Sequence, residues 1–546
     1  MTSTDRMLLM DDLPLAICSV FRSGFRKTFV SLGLAFLGFT TSAFASSPDT
    51  CLKCHRTETE RYLQTAMGRS LVSPDPYPDK SITHEHSGSI IAIETKGGKM
   101  VHRVEENGTV AELPVKYQIG GRMMGSTFAV EVHDYLFESP TSWFNGFGWD
   151  VSPGYESSRV LEFSRSITKS CLYCHASGAK FDDSDGRHLT VKNLDPITCD
   201  RCHGPTEKHV AHPTKKNILN PAKLSGPLRD SICEQCHLEG SGRVLNPGKD
   251  WTDFQPGAKA EDSFATYALV GGEDNHEVIP ASEVEQLAQS KCASASHGKL
   301  WCGSCHNPHR PSDPRREEIK AACTSCHRKL SPASHPSVVS ECTSCHMPVR
   351  ATTIVAHAAH TDHRILRDPK NSGSQPGEKE KVVAWREPPA AYVQRDLGLA
   401  ELMLPEDKKG LRNDGVNLLL SLPAEQRDHD PSVASALSGY YLQEGNIEQA
   451  LKFGRQSTTL NPRSGTEAMN LGVILVRAGQ PQEAEREFLR AISLDPSLKD
   501  AYGRLAIFYQ QSGRTQDAAT IMQQYLDWNP DEMLFHLIKE RISGQR

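Results

Sequence analysis

Seven times along this chain a pair of cysteines three positions apart is followed at once by histidine. The copies are CLKCH (Cys51, Cys54, His55), CLYCH (Cys171, Cys174, His175), CDRCH (Cys199, Cys202, His203) and CEQCH (Cys233, Cys236, His237). CGSCH (Cys302, Cys305, His306) and two copies of CTSCH (Cys323, Cys326, His327; Cys342, Cys345, His346) complete the set. They take up fourteen of the sixteen cysteines. Zinc half-sites pair one C-x-x-C with another but need no histidine at the next position. Thiol redox pairs have no use for so many copies. Covalent c-type haem needs this spacing, because both thiols join the porphyrin edge and the adjacent histidine reaches the iron. The pattern therefore predicts seven c-type haems with those seven histidines as proximal iron ligands. Structural zinc is the bland alternative.

The remaining bulk properties bound the setting. A chain of 546 residues has room for two to four domains. Its formal charge of −6 gives no sign of a nucleic-acid partner. Residues 22–27 (RSGFRK) are basic, residues 28–45 are apolar, and Ala43-Phe44-Ala45 is a small-x-small cleavage pattern. Residues 1–45 thus read as a leader and signal peptide, and a periplasmic location is expected. An uncleaved membrane anchor is the alternative. Residues 1–21 are unusual for such a leader, through an extension or a start-site error, and Cys18 falls within them.

Residues 46–365 read as a heptahaem cytochrome domain of short helices and loops. Its cysteine-free stretch 86–150 alternates apolar and polar residues, with Gly-Gly and Asn-Gly turn signals, and predicts a small β-rich insert. Motif spacing suggests two haem clusters, motifs 2–4 and motifs 5–7, with motif 1 set apart. Residues 366–394, rich in Pro, Gly and charge, read as a linker. Cysteine then disappears, and 395–546 reads as tetratricopeptide repeats of period 34: 431–464, 465–498 and 499–532. Each has Ala at its twentieth position (Ala450, Ala484, Ala518) and Pro at its thirty-second (Pro462, Pro496, Pro530). Residues 395–428 form a degenerate preceding pair and 533–546 a capping helix. The expected fold class is thus multidomain: a haem-packed, mainly helical and irregular half with a small β insert, plus an all-α solenoid.

Each iron has a second face, and the ligand there sets its potential or leaves it open for substrate. Candidate distal histidines are His209 and His309 just after motifs, His335 between two motifs, His357 and His363 after the last motif, and His84 before the β insert. His188, His212, His276 or Met67 could serve the seventh iron, or it could be open.

The segments CDRCHGPTEKHVAH, ILNPAKLSGPLRDSICEQCH, GKLWCGSCHNPH and CTSCHMP resemble multihaem cytochromes of the c-552/c-554 type, here joined to tetratricopeptide repeats. That resemblance implies electron transfer between redox partner proteins, with the repeats docking a peptide or protein. The wider group also holds oxidoreductases acting on small nitrogen compounds. An enzyme using a nitrogen or sulfur compound at an open iron is therefore the alternative to a carrier. No C-x-x-C-K site is present, which lowers the case for lysine-ligated nitrite chemistry. In the resembling chains a cysteine precedes the WCGSCH site, as Cys292 does here. A buried free thiol or a haem ligand are its two readings.

Overall fold

The computed structural model describes residues 47–121, 125–272, 281–311, 316–328, 341–352, 355–367 and 379–542. The leader, Cys18, His276 and His335 lie outside the described residues.

Motif 1 spans helices α1 (Pro48–Leu52) and α2 (Arg56–Tyr62). A nine-stranded antiparallel sheet follows: β1 (Leu71–Val72), β2 (Lys80–Thr83), β3 (Ile90–Lys96), β4 (Lys99–Glu106), β5 (Thr109–Ile119), β6 (Gly125–Val132), β7 (Tyr135–Glu138), β8 (Thr141–Phe144) and β9 (Gly148–Val151). Its main order is β2-β3-β4-β5-β6-β8-β9, with β1 on β5 and β7 on β6. The end strands β2 and β9 meet, so the sheet curls into a near-barrel. The β3–β4 and β4–β5 turns are Gly97-Gly98 and Asn107-Gly108, all with positive φ, as tight hairpin turns require. The sheet is larger than the small insert expected. β1 and β2 are too short, and too close to the prolines of 74–78, to carry an alternation signal of their own.

The sheet's interior holds Tyr77, Ile91, Val104, Phe128, Val130, Phe137 and Trp149. His102 is fully buried there, edge-on to Phe128 and Trp149. Its Nδ1 meets Ser139 Oγ at 2.8 Å, and Nε2 has no partner.

The motif-rich region contains α3 (Lys169–His175), α4 (Asp200–His203), α5 (Glu207–Ala211) and α6 (Gly226–His237), then β10 (Gly242–Leu245) and β11 (Phe264–Val270). Next come α7 (Glu283–Gln289), α8 (Lys291–Ser296), α9 (Cys302–Cys305), α10 (Arg316–Cys326) and α11 (Thr343–His346). A hairpin of β12 (Val349–Ala351) and β13 (Ala359–Thr361) precedes β14 (Lys381–Ala384). β14 pairs antiparallel with β11, which also pairs with β10. The expected linker 366–394 thus contributes an integral strand. Its KVVA core is four residues long and hidden among Pro, Gly and charge.

Helices α12 (Val393–Leu402), α13 (Lys409–Leu420) and the short α14 (Ala424–Arg427) open the solenoid. Three antiparallel pairs follow: α15 (Pro431–Gln443) with α16 (Ile447–Leu460), α17 (Gly465–Arg477) with α18 (Pro481–Leu494), and α19 (Lys499–Gln511) with α20 (Thr515–Trp528). α21 (Met533–Ile542) closes the array. Ala450, Ala484 and Ala518 are fully buried where the helices of each pair cross. A side chain at Gly472 would strike Phe488 at 2.7 Å, so the close α17–α18 approach requires glycine there.

The solenoid is fastened to the rest of the chain along its inter-repeat edge. Asp185 accepts from Ser464 Oγ (2.6 Å) and from the Thr466 backbone N–H (3.0 Å) at the start of α17. Arg187 faces Asp495 at 3.4 Å. Buried Lys499 bridges Glu162 and Glu532, and Met533 joins the sheet's core. Removing one partner of such a buried cluster would strand a charge, which makes the contact specific as well as cohesive.

Burial lowers the His102 pKa from 6.5 to about 3. A depressed histidine pKa means neutral His102 contributes its stability above pH 6.5, and that contribution is lost as pH falls toward 3. Denaturant unfolding of the full chain should therefore show an acid-dependent loss over this window. His102→Gln should flatten it; an unchanged pH profile would refute the assignment.

Candidate functional site

Each motif occupies one helical turn. The histidine backbone N–H donates to the carbonyl of the first cysteine: His55 to Cys51 (2.8 Å), His203 to Cys199 (2.9 Å), His306 to Cys302 (2.8 Å), His327 to Cys323 (2.9 Å) and His346 to Cys342 (3.0 Å). His175 and His237 end α3 and α6. Positions i, i+3 and i+4 share one helical face, so both thiols and the imidazole point the same way. That is the arrangement by which one porphyrin can be held at its edge and at its iron.

Residues between the cysteines join motifs to one another. Arg201 of motif 3 donates to the Tyr173 carbonyl of motif 2 (2.8 Å) and to Gln235 Oε1 of motif 4 (2.9 Å). Gln235 Nε2 returns a bond to the Arg201 carbonyl at 3.1 Å. Glu234 of motif 4 accepts from Trp385 Nε1 (3.2 Å) and Arg386 just after β14. Sequence spacing alone carried no sign of these contacts.

The thiols themselves lie in cross-motif pairs: Cys51 beside Cys199, Cys174 beside Cys236, Cys233 beside Cys302, and Cys323 beside Cys342. Motif 1 thus sits on motif 3, motif 2 on motif 4, motif 4 on motif 5, and motif 6 on motif 7. This differs from the two clusters read from spacing, because helices far apart in sequence pack face to face. Cys292 falls among Cys305, Cys323 and Cys326, between motifs 5 and 6, and burial raises its thiol pKa.

Three motif histidines face a second histidine. Ring centres are 6.2 Å apart for His55–His209, 5.8 Å for His203–His309 and 6.2 Å for His306–His363. Two metal–nitrogen bonds of about 2 Å, plus roughly 1 Å from each nitrogen to its ring centre, give a spacing of about 6 Å. His209 Nδ1 donates to the Thr214 carbonyl (3.0 Å), His363 Nδ1 to the Thr361 carbonyl (2.9 Å) and His203 Nδ1 to the Leu219 carbonyl (2.7 Å). Fixing the proton on Nδ1 leaves Nε2 as the free ligand atom.

The other candidates are placed differently. His84 uses both ring nitrogens, Nδ1 with Ser87 (2.7 Å) and Nε2 with the Glu156 carbonyl (3.0 Å). Its ring lies 6.3 Å from that of His86, but neither belongs to a motif. His357 bonds Asp150 at 2.6 Å and stacks on Phe147 at 3.5 Å. His188 bonds Asp182 and packs on Tyr135. His212 caps α5, and Met67 is half-buried beyond α2. His335 and His276 fall outside the described residues. Among the described residues, no histidine ring faces His175, His237 or His327 at comparable range.

The donor sets fit covalent haem, and so does the packing around them. Among the described residues from 268 to 357, which include motifs 5, 6 and 7, no hydrophobic side chain is buried. A haem held at these motifs would supply an apolar body for the described residues to pack around. An open cavity of about 300 Å³ lies beside Cys174 and Cys236, bounded by Glu239–Arg243. The motif residues Cys51/Cys54/His55 through Cys342/Cys345/His346 are those that would hold the groups.

Comparison with known proteins supports the two halves separately. The family described as cytochrome c554 and c-prime matches residues 154–204, which contain motifs 2 and 3. The tetratricopeptide repeat family matches residues 475–542. The chain is 23% identical over 159 residues to the protein adenylyltransferase fic-1 of Caenorhabditis elegans. That match covers 27% of this chain and 31% of the relative, so the chain spans less than a third of that protein's length. Among solved structures, the crystal structure of MamA protein is 18% identical over 28% of this chain and 82% of its own, with a TM-score of 0.24. The MamA RS-1 ArsTM double mutant is 18% identical over 28% and 84%, with a TM-score of 0.25. Likeness at that level carries no argument. The chain thus carries one segment that matches a c-type cytochrome family and another that matches the tetratricopeptide repeat family.

The histidine pairs can be tested one by one. In the reduced, haem-loaded protein, His209→Ala, His309→Ala and His363→Ala should each add carbon monoxide binding equal to about one haem in seven over wild type. His84→Ala and His357→Ala should add none. The reverse pattern in the visible spectra would refute the pairing.

Proposed function

We propose that this chain is a periplasmic heptahaem c-type cytochrome that passes electrons between partner proteins, with its tetratricopeptide domain docking one of them. When bound, each haem supplies a one-electron centre whose potential is set by its axial ligands and surroundings. The observation carrying this reading is the set of three histidine pairs spaced for one iron each, on motifs that abut across the chain. Residues at both faces of an iron exclude substrate from it, which suits transfer better than bond chemistry. The contacts between motifs 1 and 3, then 2, 4 and 5, then 6 and 7 put attachment sites beside one another, as short electron steps require. The resemblance to c-552/c-554-type cytochromes and the match over motifs 2 and 3 support the same reading. The leader at 1–45 supports export, and haem attachment outside the cytoplasm agrees with it.

A second reading rests on a specific observation. His175 and His237 have no described histidine opposite, and a cavity opens beside their motifs. An open iron there would suit an oxidoreductase acting on a small nitrogen or sulfur compound.

The two readings separate on one bench. The fully reduced holoprotein, mixed anaerobically with nitrite, hydroxylamine or sulfite, should keep its reduced spectrum. It should be reoxidised only by a protein electron acceptor. Rapid, repeated reoxidation by one of the small compounds would favour the enzyme.

A further inference from the structure

Motif histidines differ in what their outer nitrogen meets. His203 Nδ1 and His346 Nδ1 donate to neutral backbone carbonyls, those of Leu219 and Leu366. The paired histidines His209 and His363 also donate to backbone carbonyls. His237 of motif 4 instead meets a carboxylate, Glu283 Oε2, at 3.2 Å. That contact pairs the His237 imidazole with an anion rather than with a neutral carbonyl.

Glu283 is held for this contact. It opens α7, a short helix packed against α6, whose last residue is His237. Two residues on, Glu285 Oε1 accepts from the Gly240 backbone N–H at 2.6 Å, tying α7 to the segment just after motif 4. Gln286 Oε1 accepts from the His363 backbone N–H at 2.9 Å, tying the same helix to the histidine that faces His306 of motif 5. Cys233 of motif 4 lies beside Cys302 of motif 5. One two-turn helix therefore braces both attachment sites, and it meets the motif 4 histidine through a carboxylate.

A carboxylate accepting the outer N–H of a metal-bound imidazole pulls that proton toward itself and makes the imidazole a stronger donor. More charge on the ligand stabilises the oxidised iron over the reduced iron and so lowers the reduction potential.

We propose that Glu283 is a positioning residue that acts through His237 to set the haem of motif 4 at a lower potential than a neutral partner would give. The inference rests on reading the motifs as haem sites and concerns only the tuning of one of them.

The test is a spectroelectrochemical titration of full-length wild-type, Glu283→Gln, Glu283→Asp and Glu285→Gln holoproteins, with haem counted in each. The proposal expects seven haems throughout. One redox step in seven should move to higher potential in Glu283→Gln, return toward wild type in Glu283→Asp, and stay in place in Glu285→Gln. Seven unmoved steps in Glu283→Gln would overturn it. So would loss of a haem from Glu283→Gln, or an equal shift in Glu285→Gln, since either makes α7 a structural brace alone. A wild-type chain without covalent haem would instead sink the reading beneath it.

Discussion

One helical turn is the constraint on which the motif-bearing half depends. Five of the seven histidines show the bond from their own N–H to the carbonyl of the first cysteine, and the other two end regular helices. The turn fixes two sulfurs and one imidazole on a single face. Specific contacts in that half bring such faces together. The residues between the cysteines do part of this: Tyr173, Arg201 and Gln235 bond motifs 2, 3 and 4 to one another.

The two halves of the chain are built on different kinds of core. The solenoid and the curled sheet have ordinary apolar interiors, with Phe453, Phe488 and Tyr525 in one and Phe128 and Phe137 in the other. The last three motifs have no such interior among the described residues. On the proposed reading, haem held by their cysteines would supply that interior, which would couple folding to haem attachment in the way metal binding couples to folding elsewhere. The solenoid is not a loosely tethered appendage. Asp185, Arg187 and Glu162 reach from the first half to buried groups on the inter-repeat edge, and Met533 enters the sheet's core.

Features carried by local spacing were legible in the sequence. The motif turn is local, so the cysteines and adjacent histidines could be named. The repeat is periodic, so Ala450, Ala484 and Ala518 marked the helix crossings where they are now fully buried. Gly97-Gly98 and Asn107-Gly108 marked hairpins because their φ values are positive. Features made by distant contacts were not legible. β1, β2 and β14 gain their strand character from pairing partners rather than from their own few residues. Motif 1 meets motif 3 because Tyr62 of α2 bonds the Ile197 carbonyl, a contact without a sequence signal. His84 stood beside His209 as a candidate, yet Ser87 and the Glu156 carbonyl occupy both its nitrogens. Glu283 carried no motif at all, and only the packing of α7 on α6 gives it a role.

The central claim is that all seven C-x-x-C-H turns carry covalent haem. The most direct measurement is the pyridine haemochromogen spectrum of the purified full-length protein per mole of chain, with the intact mass of the same sample. The account predicts seven haems per chain and a mass raised by seven covalently attached haems. A smaller number, or bound zinc with free thiols in their place, would contradict it.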